Sequence, residues 1–280
     1  MPAPSSTISL ALHNRSIDNS LTRPIAFFDS GAGGLPYLAR VRELLPKEGF
    51  VYLADTRNFP FGEKPASVLI KIVVDDIGRL IATHNPKLVV VACNTASVVA
   101  IDALRRKYPV PFVGVVPAVK PAASISRRKR IGVLATSRTV SDPYLDRLIF
   151  EYARECTVVR YAGKDIVHFV ETRITEATAF EKDEAVKDAV EFFKREGVDA
   201  LVLGCTHFIF LKDRIALSMG PGVEIIDSVE GVARQVERLA ATLPHPAVEP
   251  VDIFYSTDES HEPVYRKLSE QFGLQYCGIL

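Results

Sequence analysis

The sequence predicts an α/β fold of two pseudo-symmetric open lobes with mainly parallel sheets. Three observations carry this reading. Short apolar runs alternate with longer amphipathic stretches along the chain, the pattern of repeated βαβ units. Some runs, such as Leu88-Val-Val-Val-Ala92, are continuously apolar, as strands covered on both faces require. The order strand, cysteine, polar residue, helix also recurs in register. Cys93 and Cys205 are 112 residues apart, as are Phe112 and Glu224, and Ile25 and Ile131 are 106 apart. Two similar lobes facing each other follow from that repeat.

The elements read in order as follows. Ile25 to Phe28 is strand-like and leads into Asp29-Ser30-Gly31-Ala32-Gly33-Gly34. The spacing of Leu35, Leu38, Val41 and Leu45 predicts a helix that Pro46 stops. Val51 to Ala54 is the second strand, followed by a loop over 55–64 and a long amphipathic helix to about His84. The run Leu88 to Ala92 ends in Cys93-Asn94-Thr95, a helix continues to Tyr108, and Phe112 to Val116 is the next strand. The cycle restarts at Ile131 to Leu134, then Ala135-Thr136-Ser137 and one helix to about Tyr152. Val158 to Tyr161 is a strand, and helices cover about Asp165 to Glu176 and Phe180 to Glu196. Ala200 to Leu203 is a buried strand ending in Gly204-Cys205-Thr206-His207, and Glu224 to Asp227 is another. The tail holds a strand, Val251 to Thr257, and a helix, Glu262 to Phe272, which fit either lobe.

The chain is long enough, at 280 residues with 48% apolar, for two modest α/β cores. Residues 1–22, rich in Ser, Pro and Asn, read as a flexible extension without the basic region of a secretory signal. No apolar run approaches the roughly 18 residues that span a bilayer. Lys plus Arg (34) balances Asp plus Glu (34), so charge gives no case for nucleic acid or an anionic membrane. The four cysteines, Cys93, Cys156, Cys205 and Cys277, form no CxxC pair. A disulfide framework, a structural zinc site or any other metal is therefore not expected, and a cytoplasmic setting with reduced thiols is.

Ligands of open α/β sheets bind at the carboxyl ends of strands. The polar clusters that fall there are Asp29-Ser30, Cys93-Asn94-Thr95, Thr136 with Thr139, and Cys205-Thr206-His207. Each precedes a predicted helix, where backbone N–H groups and the helix dipole favour an anion such as a carboxylate and lower a thiol's pKa. Cys93 and Cys205 occupy matching positions, and two mirrored thiols suit inversion of a stereocentre. One thiolate takes a proton from one face and the other thiol returns one to the opposite face. Asp29 and His207 are candidates to assist this proton traffic, although a turn aspartate and a capping or core histidine would occupy the same places. Cys156 and Cys277 lack such neighbours and read as structural. The Asp29-to-Gly34 segment has neither dinucleotide nor P-loop spacing and reads as a tight turn that lets backbone approach a small ligand. The basic run Arg127 to Arg130 reads as a solvated loop.

Four segments, FFDSGAGG, ADTRNFPFGEK, VVACNTAS and LVLGCTHF, resemble the signatures of glutamate racemases, within the aspartate/glutamate racemase superfamily. The resemblance runs from about Pro24 beyond Asp227. It implies two α/β lobes with the active site in the cleft between them, and interconversion of L- and D-glutamate without pyridoxal phosphate, metal or other cofactor, supplying D-glutamate for peptidoglycan. By the same resemblance Cys93 acts on the D-enantiomer with Asp29 as its partner, and Cys205 acts on the L-enantiomer with His207. Asp29, Ser30, Pro60, Gly62, Asn94, Thr95, Thr136, Thr206 and His207 match substrate-binding positions, and Glu171 matches an acidic residue near the second cysteine. Phe61 stands in the substrate loop where the family usually has tyrosine. The missing hydroxyl removes one hydrogen bond, roughly 1 kcal/mol, without touching the thiols, and loosens the assignment to glutamate. The resemblance further implies a first lobe of residues 23–116 with 230–280, a second of 117–229, and a homodimer. It also raises a cell-wall precursor acting through the N-terminal extension, and DNA gyrase as a protein partner.

The alternatives are a racemase for another amino acid such as aspartate, a hydantoin racemase, and a regulatory gyrase-binding protein on the same scaffold. A thiol redox protein is disfavoured, since its cysteines are normally close in sequence. A small-molecule-binding protein with buried cysteines is the remaining reading.

Overall fold

The computed structural model describes residues 23–244 and 251–280. The expected flexible extension, residues 1–22, lies outside the described residues. The first sheet contains β1 (Ile25–Asp29), β2 (Phe50–Ala54), β3 (Leu88–Val91), β4 (Phe112–Gly114), β9 (Ile253–Ser256) and β10 (Gln275–Ile279). The second contains β5 (Arg130–Ala135), β6 (Thr157–Ala162), β7 (Ala200–Gly204) and β8 (Glu224–Ile226). Their orders are β10-β9-β2-β1-β3-β4 and β6-β5-β7-β8, with every adjacent pair parallel. The block β2-β1-β3-β4 thus recurs as β6-β5-β7-β8, which is the repeat seen in the sequence. Strands β9 and β10 extend the β2 edge of the first sheet, which settles where the tail packs.

Both faces of the first sheet are covered, and this is why its strands are continuously apolar. Phe27, Tyr52 and Val90 pack on one face against Leu35, Leu38 and Val41 of α1 (Leu35–Leu44). Phe28, Val51 and Val89 pack on the other against α2 (Ala66–His84) and α3 (Asn94–Lys107). The second sheet is flanked by α4 (Val119–Ile125), α5 (Ser137–Val140), α6 (Pro143–Tyr152), α7 (Lys164–Arg173), α8 (Ala179–Arg195) and α9 (Lys212–Met219). Helix α10 (Val229–Ala240) packs on α1, and α11 (Glu262–Gln271) touches α7.

Local signals explain most boundaries. Pro36 lies in the first turn of α1, and a reciprocal capping box of Thr178 and Glu181 starts α8. The single helix expected from Ser137 to Tyr152 is two helices. Asp142 caps α6 by accepting from the Tyr144 N–H at 2.9 Å, and Pro143 in the first turn has no N–H to continue the preceding helix. Among the described residues, no helix is long and apolar enough to cross a membrane.

Candidate active site

Strands β3 and β7 hold equivalent positions in the two sheets, and each runs into a cysteine at its carboxyl end. Cys93 directly precedes α3, while Cys205 precedes a 3-10 turn, Thr206–Leu211. Both are 5% exposed and line one cavity of about 410 Å³ between the sheets. Ser30, Pro60, Phe61, Gly62, Asn94, Thr95, Thr136 and His207 line it with them. Asp29, Glu171 and Thr206, also singled out in the sequence, stand behind that wall and reach the cavity only through its residues.

The surroundings of the two thiols differ. Cys93 Sγ lies 3.7 Å from Ser30 Oγ, and Ser30 donates to Asp29 Oδ1 at 3.1 Å. Burial, reinforced by the Asp29 charge, pushes the Cys93 thiol up, so it rests protonated. Burial also raises Asp29 to about 7, against the charge of His207 and the Thr206 hydrogen bond. A carboxyl group that titrates near neutrality is therefore separated from Cys93 by one hydroxyl.

On the other side, Cys205 Sγ lies 3.6 Å from His207 Nδ1, and His207 Nε2 lies 2.5 Å from Glu171 Oε1. Burial alone would lower His207, but its hydrogen bonds to Cys205 and Glu171 and their charges carry it well above its ordinary value. Burial would raise Glu171, yet hydrogen bonds from His207, Tyr265 and the Ala32 N–H hold it below the usual carboxylate range. The pair is an imidazolium and a carboxylate, both buried, and it persists because its hydrogen bonds are filled.

Several bonds cross between the sheets' domains. Thr206 Oγ1 donates to Asp29 Oδ2 at 2.9 Å, and the Ala32 N–H donates to Glu171 Oε1 at 2.7 Å. Thr95 Oγ1 lies 3.0 Å from Thr136 Oγ1 and 3.3 Å from Thr139 Oγ1. Two of the glycines after Asp29, Gly31 and Gly33, make room for this crossing. A Cβ on Gly31 would lie 2.1 Å from Glu171 Oε1, and one on Gly33 would lie 2.4 Å from Thr206 Oγ1. Gly62, by contrast, does line the cavity, and its Cβ would lie 2.9 Å from Thr136 Cβ.

One wall group is poised for a ligand. Asn94 is 2% exposed, and neither its Oδ1 nor its Nδ2 has a hydrogen-bond partner. A buried amide in that state is costly unless a bound molecule fills it. Sequence reasoning missed the mouth of the cavity: Phe59, Glu63, Ser137, Lys164, Asp165, Val167, His168 and His261. Lys164 and Glu63 form a 2.8 Å ion pair there. On a helix such as α7, charged residues of this kind look like an ordinary solvated face. Among the described residues, no group of three or more His, Cys, Asp or Glu is arranged to hold a metal ion. The site offers two thiols facing one small space, each with its own proton-carrying partner.

Known proteins share this arrangement of sequence and fold. The profile of the Asp/Glu/hydantoin racemase family matches residues 54–236. A glutamate racemase of Sphingopyxis alaskensis is 39% identical over 246 residues, covering 86% of this chain and 91% of that one. The glutamate racemase of Escherichia coli, solved with L-glutamate and the activator UDP-MurNAc-Ala, superposes with a TM-score of 0.82 at 32% identity, covering 92% of this chain and 98% of that one. That of Francisella tularensis, solved with D-glutamate, superposes with a TM-score of 0.76 at 25% identity, covering 92% and 97%. The chain belongs to the Asp/Glu/hydantoin racemase family and, within it, to the glutamate racemases.

Proposed function

We propose that the protein interconverts L- and D-glutamate by a two-base reaction in which Cys93 and Cys205 work opposite faces of the α-carbon without a cofactor. The observation that carries this reading is the placement of both cysteines at equivalent strand ends on the wall of one cavity. In the L-to-D direction Cys205, as thiolate, takes the α-proton. Cys93, which burial keeps protonated, delivers its proton to the opposite face. Cys205 then holds the proton and Cys93 the charge. The reverse reaction, or proton exchange through Ser30 and Asp29 on one side and His207 on the other, restores the starting state. We assign Asn94, Thr95 and Thr136 to binding the substrate's carboxylates and ammonium group; all three line the cavity, and the Asn94 amide has no hydrogen-bond partner within the protein.

Support for glutamate as substrate comes from the relatives, two of whose structures hold L- or D-glutamate. We extend the reading to a cytoplasmic enzyme that supplies D-glutamate for peptidoglycan. We assign residues 23–116 and 230–280 to the first lobe and 117–229 to the second, in keeping with how the strands divide between the sheets.

Proton exchange tests the proposal. Protein without added pyridoxal phosphate is incubated with L-glutamate in D2O and followed by NMR and circular dichroism, beside Cys93→Ala and Cys205→Ala. Deuterium at the α-carbon with loss of optical activity, absent in both variants, is the expected result. Exchange of aspartate but not glutamate would keep the mechanism and change the substrate. Exchange of no amino acid would remove the catalytic reading.

A further inference from the structure

Glu171 is held by more than the residues of the reaction. Its Oε1 takes the Ala32 N–H at 2.7 Å and faces His207 Nε2 at 2.5 Å, while its Oε2 accepts a hydrogen bond from the Tyr265 hydroxyl. Tyr265 sits on α11, far along the chain from either cysteine, and is 1% exposed. Its ring packs 5.9 Å from Phe254, which stacks on Tyr52 at 5.0 Å. The hydroxyl therefore has a fixed origin in the first sheet's packing.

We propose that Tyr265 is a positioning residue for the reaction at Cys205, its hydroxyl fixing the Glu171 carboxylate in the orientation that presents His207 to the thiol. The inference deepens the racemase reading and rests on it for its catalytic consequence. Geometry carries the argument. A carboxylate with two free torsions beyond Cβ keeps one orientation only when both oxygens are engaged. Here one oxygen is engaged by the loop after β1 and by His207. The other is engaged by Tyr265. Without that second anchor the carboxylate can rotate about its terminal bond, and the His207 ring loses its fixed partner.

The hydroxyl is also a permanent donor. Burial and the Glu171 charge carry its own titration well above the ordinary tyrosine value. The groups facing His207 are Glu171 on α7, Cys205 two residues before it, and Asp29 at the end of β1, whose charge it feels. Tyr52 of β2 and Tyr265 of α11 stand around Glu171 and Asp29, and Cys93, His168 and His261 line the same cavity. None of these other groups is a donor to Glu171 Oε2.

Tyr265→Phe keeps the ring and removes the hydroxyl. The lost hydrogen bond acts first on Glu171, whose titration rises; with the carboxylate no longer held toward the imidazole, the His207 titration is expected to fall. Imidazole 15N signals in full-length protein read it directly, with His207 assigned by its absence from the His207→Gln spectrum. The alkaline limb of kcat is expected to move to lower pH by a similar amount with KM little changed. Leu268→Ala, which loosens the packing of α11 but keeps the hydroxyl and its ring's contact with Phe254, is expected to leave both readouts in place. An unmoved His207 titration in folded Tyr265→Phe would overturn the inference. So would an equal shift in Leu268→Ala, which would assign the effect to packing. The NMR titration needs no turnover, so it decides the role of Tyr265 even if the protein racemises nothing.

Discussion

Thr206 Oγ1 donates a 2.9 Å hydrogen bond to Asp29 Oδ2, so the residue that follows one cysteine grips the carboxyl group that lies one hydroxyl away from the other. The bond joins the two halves of the site behind the cavity wall. It also leaves Asp29 with one oxygen, Oδ1, for Ser30 and the Gly31 N–H.

Asp29→Asn tests what that carboxyl group does. Asparagine keeps the shape and the ability to accept from Thr206, but it cannot carry a proton. Loss of a positioned acid or base typically costs ~10²–10⁴ in rate. A fall of kcat in that range, with KM nearly unchanged, is expected in steady-state assays of both directions. A variant as fast as the parent would show that Asp29 is a structural acceptor only.

The same substitution has a signature in stability. Asp29 titrates at about 7 in the folded protein against an ordinary 3.8, because burial disfavours its charge. The folded state therefore binds more protons than the unfolded chain between these values, and stability falls as pH rises through that window. Asp76, raised to about 7 by burial and by the Asp55 charge, acts with the same sign. Glu171 has the opposite sign: its contribution is present above the ordinary glutamate value and is lost as pH falls through its lowered one. His207 contributes in full below 6.5, and its contribution declines above that as pH rises toward its raised folded value. Removing the Asp29 charge should stabilise the protein at pH 7.5 by as much as ~4 kcal/mol and do little at pH 4. Urea unfolding at the two pH values checks this, and parallel stability curves for parent and variant would count against it.

The legible part of the molecule was the part whose constraints are local. The run Leu88 to Ala92 had to be a covered strand, and the Cys93 and Cys205 repeat showed two equivalent strand ends because both sheets have the same order. Strand β10 escaped notice because it is an edge strand with alternating exposure and a glycine, Gly278, at φ 90°. Helix α4 is short and contains Pro121, so it carries little periodicity. The cavity mouth was invisible for a different reason. Lys164, Asp165 and His168 are charged or polar residues on a helix, and only the closure of one domain on the other turns that face into a wall. The glycines after Asp29 mark a tight turn in the sequence, but sequence does not show whether a ligand or another lobe approaches them.

Gly33 and Gly231 make that distinction measurable. A Cβ on Gly33 meets Thr206 Oγ1 at 2.4 Å and His207 Nδ1 at 2.7 Å, whereas one on Gly231 in α10 meets nothing within 4 Å. Overpacking costs about 1–3 kcal/mol, while alanine in place of a mid-helix glycine gains about 0.5–1 kcal/mol, an upper bound for Gly231 in the first turn. Gly33→Ala should therefore destabilise the fold and displace His207, with kcat falling at least ~100-fold, since misplacement by about 1 Å carries that penalty. Gly231→Ala should raise the unfolding midpoint and leave kcat alone. Full activity in Gly33→Ala would show that the lobes approach less closely during turnover than they do here.

Asn94 gives the test of substrate binding. Its amide is buried, lines the cavity and has no hydrogen-bond partner within the protein, so the fold itself gives it no return for lost hydration. A buried unsatisfied polar group costs about 1–3 kcal/mol, and the same range would be recovered when a ligand fills it. Asn94→Ala should therefore leave the melting temperature of the empty protein unchanged or higher. The rise in melting temperature on adding glutamate should shrink, because that rise depends on affinity. KM should increase ~10-fold or more, as each 1.4 kcal/mol of lost binding is a factor of ten. Cys93 lies next to Asn94 at the start of α3, so the variant must also keep kcat within a few fold for the result to concern binding. A lower melting temperature with KM unchanged would instead make Asn94 part of the scaffold, and the substrate's polar groups would then have to be bound by the hydroxyls of Thr95 and Thr136.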